Sequence, residues 1–352
     1  MAALFDKTEL CGMTLKNRFF RSATWDGLAR PDGSLTDDLY AIYENVAKGG
    51  VGAIVTVLTD VSPYDWALEG SMRLCSDLLI TDYKKLTDLV HRYGTKMFVQ
   101  LNMNNYFRMS RRIFYVDIND MTLKDISNVI NDFVMAAERR AQAGFDGIQL
   151  HLAYGWLLGR FLNPYFNERT DEYGGTTENR CRIVKEIISA IKEEVPGMPV
   201  IAKFTFFDHG PTQSASANKS GRFRDVDFDI EEGVRICKEL ERAGLDAIEV
   251  LGGHCNEEND PKEFSCFEYL GKAVRENISI PMILTGNNHN IQVMERILNE
   301  EGIEYFGISR PLIREPDLIR QWENGRTEDA KCISCNSCYH TYGKKCVFNR
   351  AL

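Results

Sequence analysis

Several features that would point to a membrane, a secretory route or a nucleic-acid partner are missing from this sequence of 352 residues. No apolar run reaches the roughly 18 residues that a transmembrane helix needs. Asp6, Lys7 and Glu9 interrupt the N-terminal stretch, so a signal-peptide layout is absent and a cytoplasmic location is expected. The net charge is −9 and no run of Lys and Arg stands out, which argues against a nucleic-acid partner because phosphate binding needs a basic surface.

Also missing is the glycine-rich GxGxxG turn with which an open doubly wound sheet binds a dinucleotide. Present instead is a regular alternation of short apolar runs with amphipathic segments. Such runs are typical of strands buried on both faces of a parallel sheet. The predicted strands span residues 18–23, 52–58, 96–102, 147–152, 199–205, 247–252, 281–286 and 304–309.

The segments between these runs carry the end signals of helices. Thr36, Thr81 and Thr122 are predicted N-caps, and glycines such as Gly94 and Gly144 follow the last turns. The succession of eight βα units predicts an α/β fold, a (β/α)8 TIM barrel, over residues 1–325. Residues 326–352 are then expected to form a short cysteine-rich tail.

Polar residues stand at the ends of the predicted strands, where TIM barrels carry their active sites. Gln100, His151 and Lys203 lie on the third, fourth and fifth strands. Turns after the seventh and eighth strands suit a phosphate group, because backbone N–H groups and helix N-termini bind anions there. The residues of these turns are Gly286, Asn287, Ser309 and Arg310, and an ordinary βα turn is the alternative for the first pair.

Together these groups suit flavin mononucleotide (FMN), a phosphorylated cofactor with a polar ring. Gln100 can pair with the amide edge of its pyrimidine ring, and Lys203 near N1 and O2 would stabilise the anionic reduced flavin. The alternative for Lys203 is an ion pair with a carboxylate inside the barrel.

One long motif and three shorter ones resemble a known family. The long motif, residues 144–182, reads GFDGIQLHLAYGWLLGRFLNPYFNERTDEYGGTTENRCR, and the others are LKNRFFRSAT, FVQLN and GISRPLIREPDL. Over residues 4–325 the chain resembles the old yellow enzyme family of FMN-dependent NAD(P)H oxidoreductases. The resemblance implies FMN at the barrel mouth, NADH or NADPH as reductant and a small-molecule substrate. It implies cofactor-binding roles for Ser22, Ala23, Thr24, Gln100, Lys203, Gly286, Asn287, Ser309 and Arg310.

The resemblance further implies reduction of the activated C=C bond of an α,β-unsaturated carbonyl compound, an ene-reductase reaction. The family's two carbonyl-binding donors fall on His151 and Tyr154, while Trp156 stands where the family has a proton-donating tyrosine. An indole N–H is only a hydrogen-bond donor, so the proton source is left to Tyr154, Tyr106 or water. Trp25, Tyr106 and Trp156 are candidate substrate-pocket residues, with hydrophobic filling as the alternative for the two tryptophans.

Other functions stay open beside this one. The first is a flavin-dependent amine dehydrogenase or demethylase of the same barrel family. The second is an NADH:acceptor flavoprotein that reduces no alkene, and a sensor or electron-transfer partner is the non-enzymatic alternative. An RNA-modifying flavoenzyme fits less well, because the chain is acidic.

A group of four cysteines ends the sequence, with the spacing Cys-x2-Cys-x2-Cys-x7-Cys; they are Cys332, Cys335, Cys338 and Cys346. In a reducing compartment such a group indicates a metal site more than disulfides, and the six scattered cysteines are expected as free thiols. The spacing is similar to that of the [4Fe–4S] site of 2,4-dienoyl-CoA reductase-like relatives. A [4Fe–4S] cluster, Zn²⁺ and no metal all remain open, as does assembly into a homo-oligomer.

Overall fold

A closed parallel barrel forms the centre of the computed structural model, which describes residues 2–65, 68–104, 106–109, 112–208, 226–227, 230–252 and 265–349. The first strand pairs in parallel with both the second and the eighth, so the predicted (β/α)8 TIM barrel is confirmed. The strands are β1 (Phe19–Arg21), β2 (Ala53–Asp60), β3 (Lys96–Asn102), β4 (Gly147–Leu152), β5 (Val200–Thr205), β6 (Ala247–Leu251), β7 (Met282–Thr285) and β8 (Tyr305–Ile308).

Both faces of these strands are buried, which explains why they read as continuous apolar runs. The register then decides which inward side chains meet. Lys203 on β5 is paired with His151 on β4 and with Glu249 on β6. Gln100 on β3 is paired with Gln149 on β4, so polar residues of four neighbouring strands lie at similar heights.

The N-terminal end of the barrel is closed by an antiparallel hairpin, Thr8–Leu10 with Met13–Leu15. Its Leu10 and Leu15 pack into a separate apolar cluster with inward residues of the barrel such as Phe98. Because this end is plugged by hydrophobic side chains, a ligand is expected at the opposite end, where TIM barrels carry their active sites.

Helices follow the strands around the outside. They are α1 (Asp37–Lys48), α2 (Ile80–His91), α3 (Leu123–Gln142), α4 (Arg182–Glu194), α5 (Ile230–Arg242), α6 (Glu268–Arg275), α7 (Ile291–Glu300) and α8 (Leu318–Glu323). Thr36 caps α1, and Thr122 forms a capping box with Asp125 at α3. The predicted Thr81 cap is wrong, because a 3-10 turn capped by Ser76 leads directly into α2.

Shorter elements decorate this frame. The helices among them are Leu157–Leu162, Thr177–Arg180 and Arg310–Arg314, and the 3-10 turns are Asp77–Leu79, Ser337–His340, Tyr342–Lys344 and Val347–Asn349. The strands among them are Met72–Arg73, Tyr106–Met109, Arg112–Tyr115, Phe207–Asp208 and Val226–Asp227. Among the described helices, none has the length and apolar content needed to cross a membrane.

Cys266, expected as a free thiol, is disulfide-bonded.

The C-terminal tail is described over residues 326–349. The tail lies against the barrel, where Ala330 N donates to His289 O at 2.9 Å and Arg326 pairs with Glu315 at 2.6 Å.

Candidate active site

A buried polar network crosses the barrel from β3 to β6. Gln100 Nε2 donates to Gln149 Oε1 at 2.7 Å, and Gln149 Nε2 donates to Glu249 Oε2 at 2.7 Å. Lys203 Nζ lies 3.1 Å from Glu249 Oε1 and donates to Ser22 Oγ at 2.8 Å. All of these side chains are buried, so each polar group needs the partner that the network supplies.

Glu249 is the centre of this network. Its Oε1 also accepts hydrogen bonds from Ser22 Oγ at 2.5 Å and from Thr285 Oγ1 at 2.9 Å. Burial alone would raise the pKa of Glu249, but the charge of Lys203 and the hydrogen bonds outweigh it and hold that pKa below its usual 4.5. Lys203 therefore forms the carboxylate ion pair that was the alternative to a flavin-binding role, and its role toward FMN stays a prediction.

His151 is held neutral at the end of β4. Burial and then the charge of Lys203 lower the pKa of His151 well below 6.5. Nδ1 lies 3.4 Å from the backbone nitrogen of Ala153 and accepts its hydrogen bond. The ring proton is then on Nε2, which makes that atom a hydrogen-bond donor to a ligand.

Tyr154 and Trp156 flank this imidazole. The ring centroid of His151 is 5.9 Å from that of Tyr154 and 6.2 Å from that of Trp156. Tyr154 and Gly155 both have positive φ, 59° and 68°, and this turn folds the chain back beside the end of β4. Tyr106 belongs to a short strand, but its side chain lies outside the described part of the chain.

The segment after β1 lies next to the same network. Ser22 contacts Lys203 and Glu249, and Thr24 Oγ1 is 2.6 Å from Ser309 Oγ beyond β8. Ala23 and Trp25 are half-buried. Thr24, predicted to contact the flavin ring, and Ser309, predicted to bind the phosphate, are therefore hydrogen-bonded to each other.

The turn after β7 requires glycine at its first position. Gly286 has φ of 144°, and a Cβ there would lie 2.2 Å from the Phe267 ring. Asn287 follows with φ of 53°. Asn288 Nδ2 donates to Leu284 O at 2.8 Å and to Gly307 O at 2.9 Å, which holds the ends of β7 and β8 together.

One nitrogen of the Arg310 guanidinium contacts the tail. This nitrogen, Nη1, donates to Ser334 O at 3.2 Å and to Asn336 Oδ1 at 2.7 Å. Ser334 Oγ also lies 3.4 Å from Asn287 Oδ1. Part of the predicted phosphate site is thus shared with the cysteine-rich segment, and phosphate binding by Arg310 stays a prediction.

All the tail cysteines line one small cavity, together with Arg310 and Arg314; they are Cys332, Cys335, Cys338 and Cys346. Ser334 and Asn336, which lie between them in sequence, have positive φ of 55° and 60°. Within the described residues, however, no group of three or more His, Cys, Asp or Glu side chains is arranged to hold a metal ion. The four cysteines thus line the same cavity without forming a metal-ligand geometry, and metal binding stays a prediction.

The donor set at the mouth fits FMN. A fixed ammonium group and amide side chains line the interior, a neutral imidazole stands at the edge, and a glycine turn opens beside β7 and β8. A polar flavin edge and a phosphate need these groups. Such a barrel and mouth are typical of the class of TIM-barrel flavoenzymes.

Within that class, the chain belongs to the NADH:flavin oxidoreductase / NADH oxidase family, which matches residues 3–329. This family membership places the chain among the FMN oxidoreductases of the old yellow enzyme type. The NADPH dehydrogenase of Listeria monocytogenes is 30% identical, over 90% of this chain and 93% of its own length. The NADH oxidase of Thermoanaerobacter brockii is also 30% identical, over 95% of this chain, but this chain spans only 52% of its length.

A solved structure shares the fold. The old yellow enzyme homologue of Zymomonas mobilis matches with a TM-score of 0.76 at 21% identity, covering 93% of this chain and 94% of that one.

Sequence reasoning missed Gln149, Glu249 and Asn288. Gln149 precedes His151 by two residues, which puts both on one face of β4, so strand periodicity could have found it. Glu249 is a charge inside an apolar strand, which is itself a signal of a buried pair. Asn288 carries no local signal, because its partners come from β7 and from β8.

Proposed function

We propose that the protein is an ene-reductase, which takes hydride from NAD(P)H and delivers it to the activated alkene of an α,β-unsaturated carbonyl compound. FMN would supply the hydride-carrying chemistry. The observation that carries the proposal is the neutral His151 at the end of β4, with its Nε2–H available beside the Lys203 network.

His151 and Tyr154 would bind the substrate carbonyl. Negative charge develops on that oxygen as the alkene accepts hydride, so two hydrogen-bond donors stabilise the transition state more than the ground state. A neutral imidazole suits this role because it donates without adding a buried charge. Lys203 and Gln100 would hold the pyrimidine edge of the flavin, with Glu249 keeping Lys203 in place.

The test is an anaerobic two-step experiment. The purified yellow protein is reduced with NADH or NADPH and then mixed with cyclohexenone or with a cinnamate-type acid. Rapid reoxidation of the flavin supports alkene reduction, and His151→Phe should slow that step while leaving reduction by NAD(P)H intact. Reoxidation by O₂ or quinones alone would reject the proposal in favour of an NADH:acceptor flavoprotein.

Amine dehydrogenation is the second candidate, since aromatic faces bind organic cations and two aromatic rings flank His151. Anaerobic bleaching of the oxidised flavin by N,N-dimethylglycine or another secondary or tertiary amine would favour it. Failure of every amine to bleach the flavin would remove it.

We further propose that the tail cysteines bind one metal centre, either a [4Fe–4S] cluster or Zn²⁺. Their position around a single cavity supports this, although the thiols are not in ligand geometry. Iron, sulfide and zinc analysis of anaerobically purified protein distinguishes the two, and Cys338→Ser should lower the metal content. Protein with neither metal would refute the proposal.

Cytoplasmic location and assembly into a homo-oligomer complete the proposal for this small-molecule enzyme. Cell fractionation and analytical ultracentrifugation of the purified protein are the corresponding tests.

A further inference from the structure

The tail is fixed to the barrel beside the mouth. Asn290 Nδ2 donates to Asp329 Oδ1 at 2.8 Å, and Lys331 N donates to Glu315 Oε2 at 2.5 Å. Arg310 holds the next loop of the tail. These contacts come from the segments after β7 and β8, so they fix the first part of the tail against that side of the barrel.

From there the tail crosses to the segment after β1. Gly343 is buried, with φ of 62°, and a Cβ at this position would lie 3.2 Å from Leu28 Cδ1. The close approach of Gly343 to Leu28 sets the position of the next residue, Lys344. The Nζ of Lys344 lies 4.2 Å from the centroid of the Trp25 ring and donates to Tyr339 O at 2.7 Å.

Trp25 connects this ammonium group to the segment that lies next to the buried polar network. It follows the Ser22–Thr24 segment directly, and Ser22 itself bonds to Lys203. A cation held on the ring of Trp25 therefore stands at the β1 edge of the mouth.

Burial lowers the pKa of Lys344, and the nearby Cys338 and the buried carboxylate of Asp26 act in the opposite direction. Lys344 makes no ion pair with any residue that the structure describes, whereas Lys203 has Glu249. The buried carboxylate of Asp26 is paired with Arg21 at 3.1 Å. An ammonium group has three donors, and within the described part of the chain Tyr339 O accepts one of them, so a ligand can be bound by the others.

We propose that Lys344 and Trp25 form an anion-binding subsite, which selects unsaturated carbonyl compounds that carry a carboxylate away from the reacting alkene. Trp25 offers an apolar face to the body of the substrate, and Lys344 binds the carboxylate. His151 and Tyr154 bind the carbonyl oxygen of the same substrate, as in the proposed ene-reduction. This inference rests on the proposed ene-reduction, because it names the substrate class of the same site.

The test compares two aldehydes with the same alkene, 4-carboxycinnamaldehyde and its methyl ester, as oxidants of the NADH-reduced holoenzyme. The wild type should prefer the acid in kcat/KM. Lys344→Met should lower the acid-to-ester ratio about tenfold, which equals about 1.4 kcal/mol. The preference should also shrink in higher salt, because the interaction is between charges near solvent.

Matched variants separate this role from a general effect on the tail. Lys345→Met removes the same charge from the exposed next residue and should leave the ratio unchanged. Lys344→Arg keeps the charge and should retain most of the preference. An unchanged ratio in Lys344→Met, or an equal loss in Lys345→Met, would overturn the subsite.

A binding measurement tests the anion subsite independently of catalytic turnover. 4-Formylbenzoate and its methyl ester are titrated into the oxidised holoenzyme and followed by the flavin absorbance. Lys344→Met should weaken the acid about tenfold and leave the ester unchanged. If neither cinnamaldehyde reoxidises the flavin but this difference holds, ene-reduction fails and the anion subsite stands; if the difference is absent, the subsite fails.

Discussion

Glu249→Gln tests the buried ion pair on which the arrangement of the mouth depends. Lys203 and Glu249 are separated by 3.1 Å, with only 4% and 1% of their side chains exposed. At that distance the attraction is about 5 kcal/mol for an effective dielectric constant of about 20. Gln keeps the shape but removes the charge, and its amide nitrogen cannot accept the hydrogen bonds that the carboxylate accepts.

Removal of one partner leaves the other charge buried, so we expect the variant to lose about 3–5 kcal/mol of unfolding free energy at neutral pH. Urea unfolding of protein freed of FMN is the measurement. A surface pair provides the control, because Lys272 and Glu301 are also 3.1 Å apart but Lys272 is 52% exposed. Glu301→Gln should leave the urea midpoint within error of the wild type.

The pH dependence has a definite sign. The folded-state pKa of Glu249 is held below 4.5, so its stabilising effect is present above that pH and is lost as the pH falls through the lower folded-state value. The difference between wild type and Glu249→Gln should therefore shrink in acid. Equal stability of the two proteins at pH 7 would refute the reasoning.

Three further predictions follow from single positions. Gly286→Ala should cost about 1–3 kcal/mol of unfolding free energy and weaken FMN binding, because Gly286 has φ of 144° and a Cβ there would meet the Phe267 ring. Urea unfolding and FMN fluorescence titration measure the two effects. Gly302→Ala is the control, since a Cβ there would meet no atom within 4 Å, and it should leave FMN binding unchanged. His151 should stay neutral from pH 8 to below 6.5, so the pH profile of alkene-dependent reoxidation should show no step near pH 6.5 that depends on His151, as a comparison with His151→Gln would reveal. Because the unfolded chain binds a proton at His151 below pH 6.5 and the folded chain does not, the wild type should lose unfolding free energy there, and His151→Gln should lose less. Trp156→Tyr should speed reoxidation by cyclohexenone about tenfold or more, since a phenol can donate the proton that an indole cannot, and an unchanged rate would place the proton source elsewhere.

The barrel itself was predictable from local sequence patterns. Strands of a parallel sheet are buried on both faces, so β2, β4 and β5 appear as apolar runs that need no knowledge of their neighbours. Gln100, His151 and Lys203 could be found the same way, because strand position alone assigns them to one end of the barrel. The Thr81 cap failed because Ser76, a few residues earlier, begins the turn instead.

Contacts across the closed barrel were decided by the tertiary structure. Lys203 meets Ser22 over a sequence separation of 181 residues, and Ser22 meets Glu249 over 227. Arg310 is held by the tail, and Lys344 reaches Trp25 from the far end of the chain. Strand and helix signals report only on neighbours in sequence, whereas the partner of a buried charge depends on register, barrel closure and the path of the tail. The sequence by itself determined which elements form and which end of the barrel carries the predicted site; the fold alone determined which buried charges are paired there.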